Sequence, residues 1–268
     1  MEYLPLGPTA QRVPKIGFGT ARFHGGAGVL RRAVELGAGF IDTAESYNAW
    51  GDEPGVAETL VAEELGGVTG EVVVATKISP ENLRFDDVIR HALASRERLR
   101  VPSIDLYQVH APNPAIPIAE TMRALERLVD EGVIRRIGVS NFDVEDLQAA
   151  QDALRTQPLV ANQVRYNLFD REVEARVLPY CQEHRITVSA HTPLALGRFT
   201  GRPGAGVLAL VARETNRTAA QIMLNWLVGH AGVMAIPKTD RAERVDELVA
   251  SVGWTLDPAQ RAALDGLT

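Results

Sequence analysis

One cysteine, Cys181, stands in 268 residues. That excludes an internal disulfide and any metal site built from several thiolates, and it suits a reducing, cytoplasmic setting. Lysine is nearly as scarce: of 28 basic residues only Lys15, Lys77 and Lys238 are lysines. Surplus positive charge is missing too, since 34 acidic residues leave a formal net charge of −6. This is the wrong sign for a partner such as nucleic acid or an anionic membrane, which is held by clustered cations that release counterions. The first residues carry neither a basic region nor a long apolar run, so no secretory signal is expected. The longest uncharged stretch, Thr218 to Pro237, has the length of a membrane span. It contains Gln221, Asn225, His230 and a Gly-His-Ala-Gly break, and reads as a buried helix, a turn and a strand. No Pro/Ser-rich linker or low-complexity tract divides the chain, so residues 1–268 are expected to form one domain.

What the sequence does have, at 46% hydrophobic residues, is a recurrent short apolar run rich in β-branched side chains. Eight strands are predicted: Ile16 to Gly19, Gly39 to Thr43, Val72 to Thr76, Ile104 to Val109, Ile134 to Val139, Val160 to Val164, Ile186 to Ala190 and Val233 to Ile236. Helical spacing fills the intervals, as in Val29 to Leu36, Val88 to Leu99, Ile118 to Val129 and Ile222 to Val228. Thr218-x-x-Gln221 is a capping box and Asp240-x-x-Glu243 resembles one. Near-continuous apolar strands alternating with helices indicate a parallel sheet covered by helices, and eight such units point to an α/β fold of the (β/α)8 TIM-barrel type. A doubly wound sheet is the competing reading. Tyr3 to Leu6 and Gln11 to Pro14, on either side of Gly7-Pro8, predict a short N-terminal β-hairpin. The longer interval before the eighth strand is expected to hold an extra helix or a mobile loop.

Barrel chemistry gathers at the carboxyl ends of the strands. The polar residues ending the runs are Thr20, Asp42, Lys77, His110, Ser140 with Asn141, Gln163, His191 and Lys238, and Tyr47 lies in the loop after the second strand. Any one of these commonly just meets solvent. Asp, Lys, His and Tyr converging on one mouth form an acid-base constellation. A phenol near its ordinary pKa of about 10 donates protons poorly at neutral pH. An adjacent Lys77 ammonium is expected to stabilise the phenolate and lower that value, with Asp42 keeping the lysine charged and fixed. His110 then suits a hydrogen bond that orients a carbonyl oxygen. What this set lacks is a nucleophile, which a nicotinamide hydride would supply.

No G-x-G-x-x-G opens a helix after a strand; Gly204-Ala205-Gly206 fits the loose form, but no strand precedes it. Ser140, Asn141 and Gln163 offer the amides and hydroxyl to bind a carboxamide. Lys238, Thr239 and Arg244 form a cation-hydroxyl-cation set suited to a phosphate, beside the start of a helix.

Phe40-Ile41-Asp42-Thr43-Ala44-Glu45-Ser46-Tyr47, Ala75-Thr76-Lys77, Ile104 to His110, Ile137-Gly138-Val139-Ser140-Asn141-Phe142, Asn162-Gln163-Val164 and Ile236-Pro237-Lys238-Thr239 stand in the order and spacing of the aldo-keto reductase family. The chain resembles that family from about Leu4 to Asp265, most of all prokaryotic members similar to the 2,5-diketogluconate reductases. The resemblance implies a monomeric (β/α)8 barrel that reduces aldehydes or ketones with NADPH, NADH being a lesser possibility. It places a catalytic tetrad on Asp42, Tyr47, Lys77 and His110, with Tyr47 as general acid. Cofactor contacts are implied for Gly19, Thr20, Asp42, Ser140, Asn141, Gln163, His191, Thr192, Pro193 and Leu194. Lys238, Thr239 and Arg244 would hold the adenosine 2′-phosphate, with Glu247 near the adenine and the Pro193 to Gly206 loop over the pyrophosphate.

Two positions depart from the family pattern. His191 stands where a tyrosine usually stacks on the nicotinamide, and its protonation is expected to weaken retention of NADP⁺ at acidic pH. Glu247-Leu248 replaces a Glu-Asn pair near the adenine. Phe23, His24, Trp50, Ile78 and His110 are the expected substrate pocket, along with Ala111, Pro112 and an inward-turned Arg165. The short tail after a last helix over Asp257 to Leu264 suggests an open site and broad specificity. The expected partner is a small carbonyl compound, with no nucleic acid, membrane or metal. Two other readings are a Schiff-base lyase using Lys77 and a non-catalytic NADPH-sensing subunit, since ion-channel β subunits share the family's barrel.

Overall fold

The computed structural model describes residues 1–47, 54–66 and 71–267. A two-stranded antiparallel hairpin, β1 (Tyr3–Pro5) and β2 (Arg12–Pro14), comes first. Alternation then begins: β3 (Phe18–Gly19), α1 (Val29–Glu35), β4 (Phe40–Asp42), α2 (Val56–Leu65), β5 (Val73–Ile78), α3 (Phe85–Leu99), β6 (Leu106–Val109), α4 (Ile118–Asp130), β7 (Ile137–Ser140) and α5 (Val144–Ala153). It continues with β8 (Leu159–Arg165), α6 (Val177–Glu183), β9 (Thr187–His191), α7 (Ala205–Thr215), α8 (Ala219–Val228), β10 (Val233–Ala235), α9 (Ala242–Val249) and α10 (Pro258–Asp265). Strands β3 to β10 pair in sequence order, all parallel. A bridge between Ile16 and Ala235 brings the two edges together, with the Gly17 amide donating to Ala235 O at 2.9 Å and the Gly19 amide to Pro237 O at 3.0 Å. The eight predicted strands are thus those of a (β/α)8 barrel, and the extra helix before the last strand is α7.

The pleat decides which side chains enter the barrel. In β5, Val73 and Ala75 pack in the interior while Val74 and Ile78 pack outward against the helices. Lys77 follows in the inward register of Val73 and Ala75. The same alternation puts Asp42 after Phe40 in β4, Gln108 after Leu106 in β6 and Gln163 after Ala161 in β8. Each of these strands therefore presents apolar side chains low in the barrel and one buried polar side chain above them. That layering is the physical origin of the site: a polar floor on an apolar column.

The hairpin closes the opposite end. Leu4, Leu6 and Val13 join Phe40, Val73, Ala75, Leu106, Val160 and Met234 in one buried cluster. The turn residue Gly7, at φ +61°, donates its amide to Thr187 Oγ1 at 2.8 Å, and Thr187 Oγ1 donates to Pro5 O at 2.9 Å. A Cβ on Gly7 would lie 2.6 Å from Val160 Cα, so the turn seats on the barrel floor only with glycine.

Helix termini follow local rules in some places and tertiary demands in others. The Thr218/Gln221 capping box forms at α8, with 3.2 and 3.0 Å bonds. Unanticipated boxes form at α5 (Asp143/Asp146) and α10 (Asp257/Gln260). The box expected over Asp240 and Glu243 does not form: Arg241 is the N-cap of α9 and no side chain caps it, because the Asp240 carboxylate is drawn to other partners described below.

Candidate active site

Tyr47, Asp42, Lys77 and His110 converge at the carboxyl end of the barrel. Lys77 is fully buried, and its ammonium donates to Asp42 Oδ2 at 2.7 Å, to Thr43 O at 2.7 Å and to Tyr47 Oη at 3.3 Å. An ammonium has three N–H groups and accepts nothing. All three are therefore committed, and the phenol oxygen must be the acceptor in its bond with Lys77. The hydroxyl proton of Tyr47 is left to point elsewhere. Asp42 is fixed in turn by Gln163 Nε2 at 2.7 Å and Gln108 Nε2 at 3.4 Å on its other oxygen. The ring of His110 meets that of Tyr47 edge to face with centroids 5.5 Å apart, and Ser46 Oγ lies 3.3 Å from His110 Nδ1. If Ser46 donates to Nδ1, the imidazole proton resides on Nε2.

The turn that carries Tyr47 is tied down by a side chain that strand-end reading missed. Glu45 is buried; its carboxylate accepts the Ser79 amide at 2.8 Å and Asn82 Nδ2 at 3.1 Å, and contacts His91 Nδ1 at 2.7 Å. Burial works against its charge, but these donors outweigh that cost and hold the carboxyl below its usual range. Gln108 was missed as well, because it sits inside an apolar run instead of ending it. The every-second-residue register Leu106, Gln108, His110 is the signal that marks it.

Electrostatics corrects one expectation. Burial raises the Tyr47 phenol above its ordinary value; Lys77 opposes this, but Asp42 cancels part of the ammonium's field. The resting phenol is therefore firmly protonated, not pre-acidified. Burial disfavours the Lys77 charge, yet Asp42 and Tyr47 outweigh it and the ammonium is held above its ordinary range. Burial and Lys77 push His110 down to about 4 and His191 likewise to about 4. Both imidazoles are neutral around pH 7, which moves the acid sensitivity expected of His191 to the region of pH 4.

A second run of side chains extends along the same mouth. Ser140 Oγ donates to Gln163 O at 2.9 Å. Asn141, in left-handed conformation at φ +61°, donates to His110 O at 2.9 Å and Ser140 Oγ at 3.1 Å, and its Oδ1 lies 3.3 Å from His191 Nε2. Thr192, also at positive φ, contacts the other ring nitrogen of His191 at 3.0 Å and its carbonyl accepts Asn167 Nδ2; Pro193 and Leu194 follow in the same loop. Directly after β3, Thr20 is buried and its hydroxyl donates to Asp42 O at 3.0 Å. Amide and hydroxyl groups lie beside the tetrad, while Lys238, Thr239 and Arg244 lie beyond β10, with Arg244 Nε 3.5 Å from Glu247 Oε2.

The expected substrate wall is placed differently. Phe23 and Ile78 are 1% and 0% exposed and belong to the core packed against the helices. His24 contacts Asp240 at 3.4 Å. Arg165 turns outward, paired with Asp170, and Leu248, at the place of the family's Asn, packs into the core. Trp50 lies outside the described residues.

A family model described as "Aldo/keto reductase family" matches residues 15–268. Methylglyoxal reductase YeaE of Escherichia coli (strain K12) is 37% identical over 238 residues, covering 88% of this chain and 82% of that protein. Among solved structures, a thermostable aldo-keto reductase, Tm1743, in complex with the inhibitor epalrestat superimposes with a TM-score of 0.92 at 33% identity, covering 100% of both chains. An aldo/keto reductase from Klebsiella pneumoniae in complex with NADP and acetate gives 0.85 at 35% identity over 95% of this chain and 91% of that one.

Proposed function

The chain belongs to the aldo/keto reductase family, and from that premise we propose that it reduces small aldehydes or ketones to alcohols with NADPH, Tyr47 being the proton donor. The observation that carries this reading is the commitment of all three Lys77 protons, one of them to the phenol oxygen. The Tyr47 proton is then not used in its bond with Lys77 and is free to be given to a substrate. As it leaves, charge develops on an oxygen already accepting from an ammonium, so Lys77 acts on the transition state even though the resting phenol stays protonated. His110 donates from Nε2 to the carbonyl oxygen and orients it toward the phenol.

A nicotinamide cofactor, when bound, would supply the hydride for the carbonyl carbon. Ser140, Asn141 and Gln163 are proposed to hold its carboxamide, His191 its ring face, and Gly19, Thr20, Thr192, Pro193 and Leu194 the adjoining segment. Lys238, Thr239 and Arg244 are proposed for the 2′-phosphate, and Glu247 for the neighbourhood of the adenine. Structure neighbours crystallised with NADP and NADPH support this choice of cofactor. As part of the same reading, the enzyme works as a monomer in the cytoplasm on a freely diffusing substrate. A buried Cys181, its thiol pushed up to about 12 by burial, suits no redox role there. A Schiff-base role for Lys77 needs a neutral amine, which the raised pKa opposes.

The test is NADPH oxidation with a carbonyl panel headed by methylglyoxal, the substrate named for the Escherichia coli relative. Tyr47→Phe is expected to bind NADPH as wild type does and lose reduction by about 10²–10⁴-fold. Nucleotide binding without turnover of any carbonyl would favour a sensing role, and near-normal turnover in Tyr47→Phe would overturn the assignment of the acid.

A further inference from the structure

The segment proposed to hold the adenosine end of the cofactor is not the cationic pocket that its sequence suggests. Between Lys238 and Glu247 stand three cations, Lys238, Arg241 and Arg244, and four carboxylates, Asp240, Glu243, Asp246 and Glu247. Each expected phosphate ligand already has a partner. Lys238 Nζ is bound to Asp240 Oδ2, and Arg244 lies beside Glu247. Thr239 is buried, and its hydroxyl accepts the Arg241 amide at 3.1 Å.

Asp240 is held from two sides. Besides Lys238, it accepts the His24 backbone amide at 3.3 Å and lies 3.4 Å from His24 Nδ1, which joins the loop after β3 to the loop after β10. These donors outweigh the cost of partial burial and keep its carboxyl below the usual range, so it is anionic at neutral pH. A phosphate monoester carries about −1.5 to −2 charges near pH 7. To reach Lys238 it must displace this carboxylate or sit beside it. A ribose with free hydroxyls carries no such charge and need not displace the carboxylate.

Resting on the reading of this mouth as a dinucleotide site, we propose that Asp240 determines specificity there: by occupying Lys238 it lowers the affinity for a 2′-phosphate and leaves the enzyme able to use NADH as well as NADPH. The effect of Asp240 is confined to one phosphate, which the following probes isolate. Binding of adenosine 2′,5′-bisphosphate and of 5′-AMP to wild type, Asp240→Asn and Asp240→Ala is measured by calorimetry at fixed ionic strength, with NADP⁺ and NAD⁺ as the full-length pair. Losing an exposed ion pair and a facing negative charge is expected to tighten the bisphosphate by about five- to tenfold in both variants. Binding of 5′-AMP is expected to stay within about twofold, and the NADP⁺ to NAD⁺ preference to rise by the same factor.

Equal changes for both nucleotides, or none, would overturn the proposal while leaving the reductase reading intact. A wild-type protein that binds neither adenine nucleotide nor NADPH would remove both together. Asp240 is one-third exposed, and matching unfolding curves for the three proteins establish that the comparison is between folded sites.

Discussion

Replacing Asp42 by asparagine strikes the contact on which the tetrad is built. The carboxylate is 1% exposed and the lysine it holds is fully buried. Asn has nearly the same shape, so the perturbation is one charge and one acceptor. Truncating one member of a buried ion pair leaves the other uncompensated, at a cost of about 3–5 kcal/mol. For a chain of this size that lowers Tm by about 6–20 °C at pH 7. The pH dependence has a definite sign. In the wild type, burial would lower the Lys77 pKa, but Asp42 and Tyr47 raise it, so its contribution is present below the unfolded value of about 10.4 and is lost only above the folded one.

Without Asp42, burial dominates and the folded-state pKa falls below the unfolded one. The folded variant then binds fewer protons than the unfolded chain, and its stability rises with pH between about 7 and 10. The gap from wild type should narrow over that interval. Removing both charges in Asp42→Asn with Lys77→Met should recover at least about 2 kcal/mol of the single variant's loss, because no buried charge remains unpaired. Chemical denaturation followed by circular dichroism across pH 7 to 10 reads all three quantities. A single variant within about 1 kcal/mol of wild type, or a double variant no more stable than the single, would refute the claim that this ion pair organises the site.

Other outcomes follow from the same structure. His110 and His191, both held down at about 4, bind protons in the unfolded chain first. Stability should therefore fall as pH drops from about 6.5 to about 4, by at most about 1.4 kcal/mol per pH unit for each imidazole. His191→Tyr should flatten that slope by one group's share in urea titrations, and an unchanged slope would mean that His191 is not desolvated. In the same variant NADP⁺ affinity should parallel wild type above about pH 5 and separate only near pH 4; separation near pH 6.5 would show an imidazole with its ordinary pKa. Thr218→Ala, which removes the cap of α8, should cost about 1 kcal/mol and leave carbonyl reduction unchanged, as judged by denaturation and steady-state rates.

How far the residues foretell the site can be judged at single positions. Lys77 was legible because a lone lysine ends an apolar run in a chain nearly devoid of lysines. Gln108 was not, since the boundary of a run conceals a polar residue within it. The alternation of inward Leu106, Gln108 and His110 becomes informative only once Leu106 is known to face the barrel interior. Phe23 and Ile78 sit next to residues of the mouth in sequence, yet the pleat and the loop turn them into the core. Asp240 shows the same limit. Its spacing to Glu243 matches a helix cap, a purely local device, but Lys238 and His24 compete for its carboxylate. His24 is 216 residues away and enters that competition only when β3 and β10 meet.

By itself the sequence determined the order of strands and helices, the parallel sheet and the polar residue at each strand end. These depend on periodicities of two and 3.6 residues, which are local and survive in any fold that buries the apolar face. Tertiary structure alone decided how those groups behave. The phenol of Tyr47 is raised and not lowered, the imidazoles are neutral, and Lys238 is already paired with Asp240. Proton affinity and ion pairing depend on burial and on distances of a few ångströms between residues far apart in the chain, quantities that exist only once the barrel has closed.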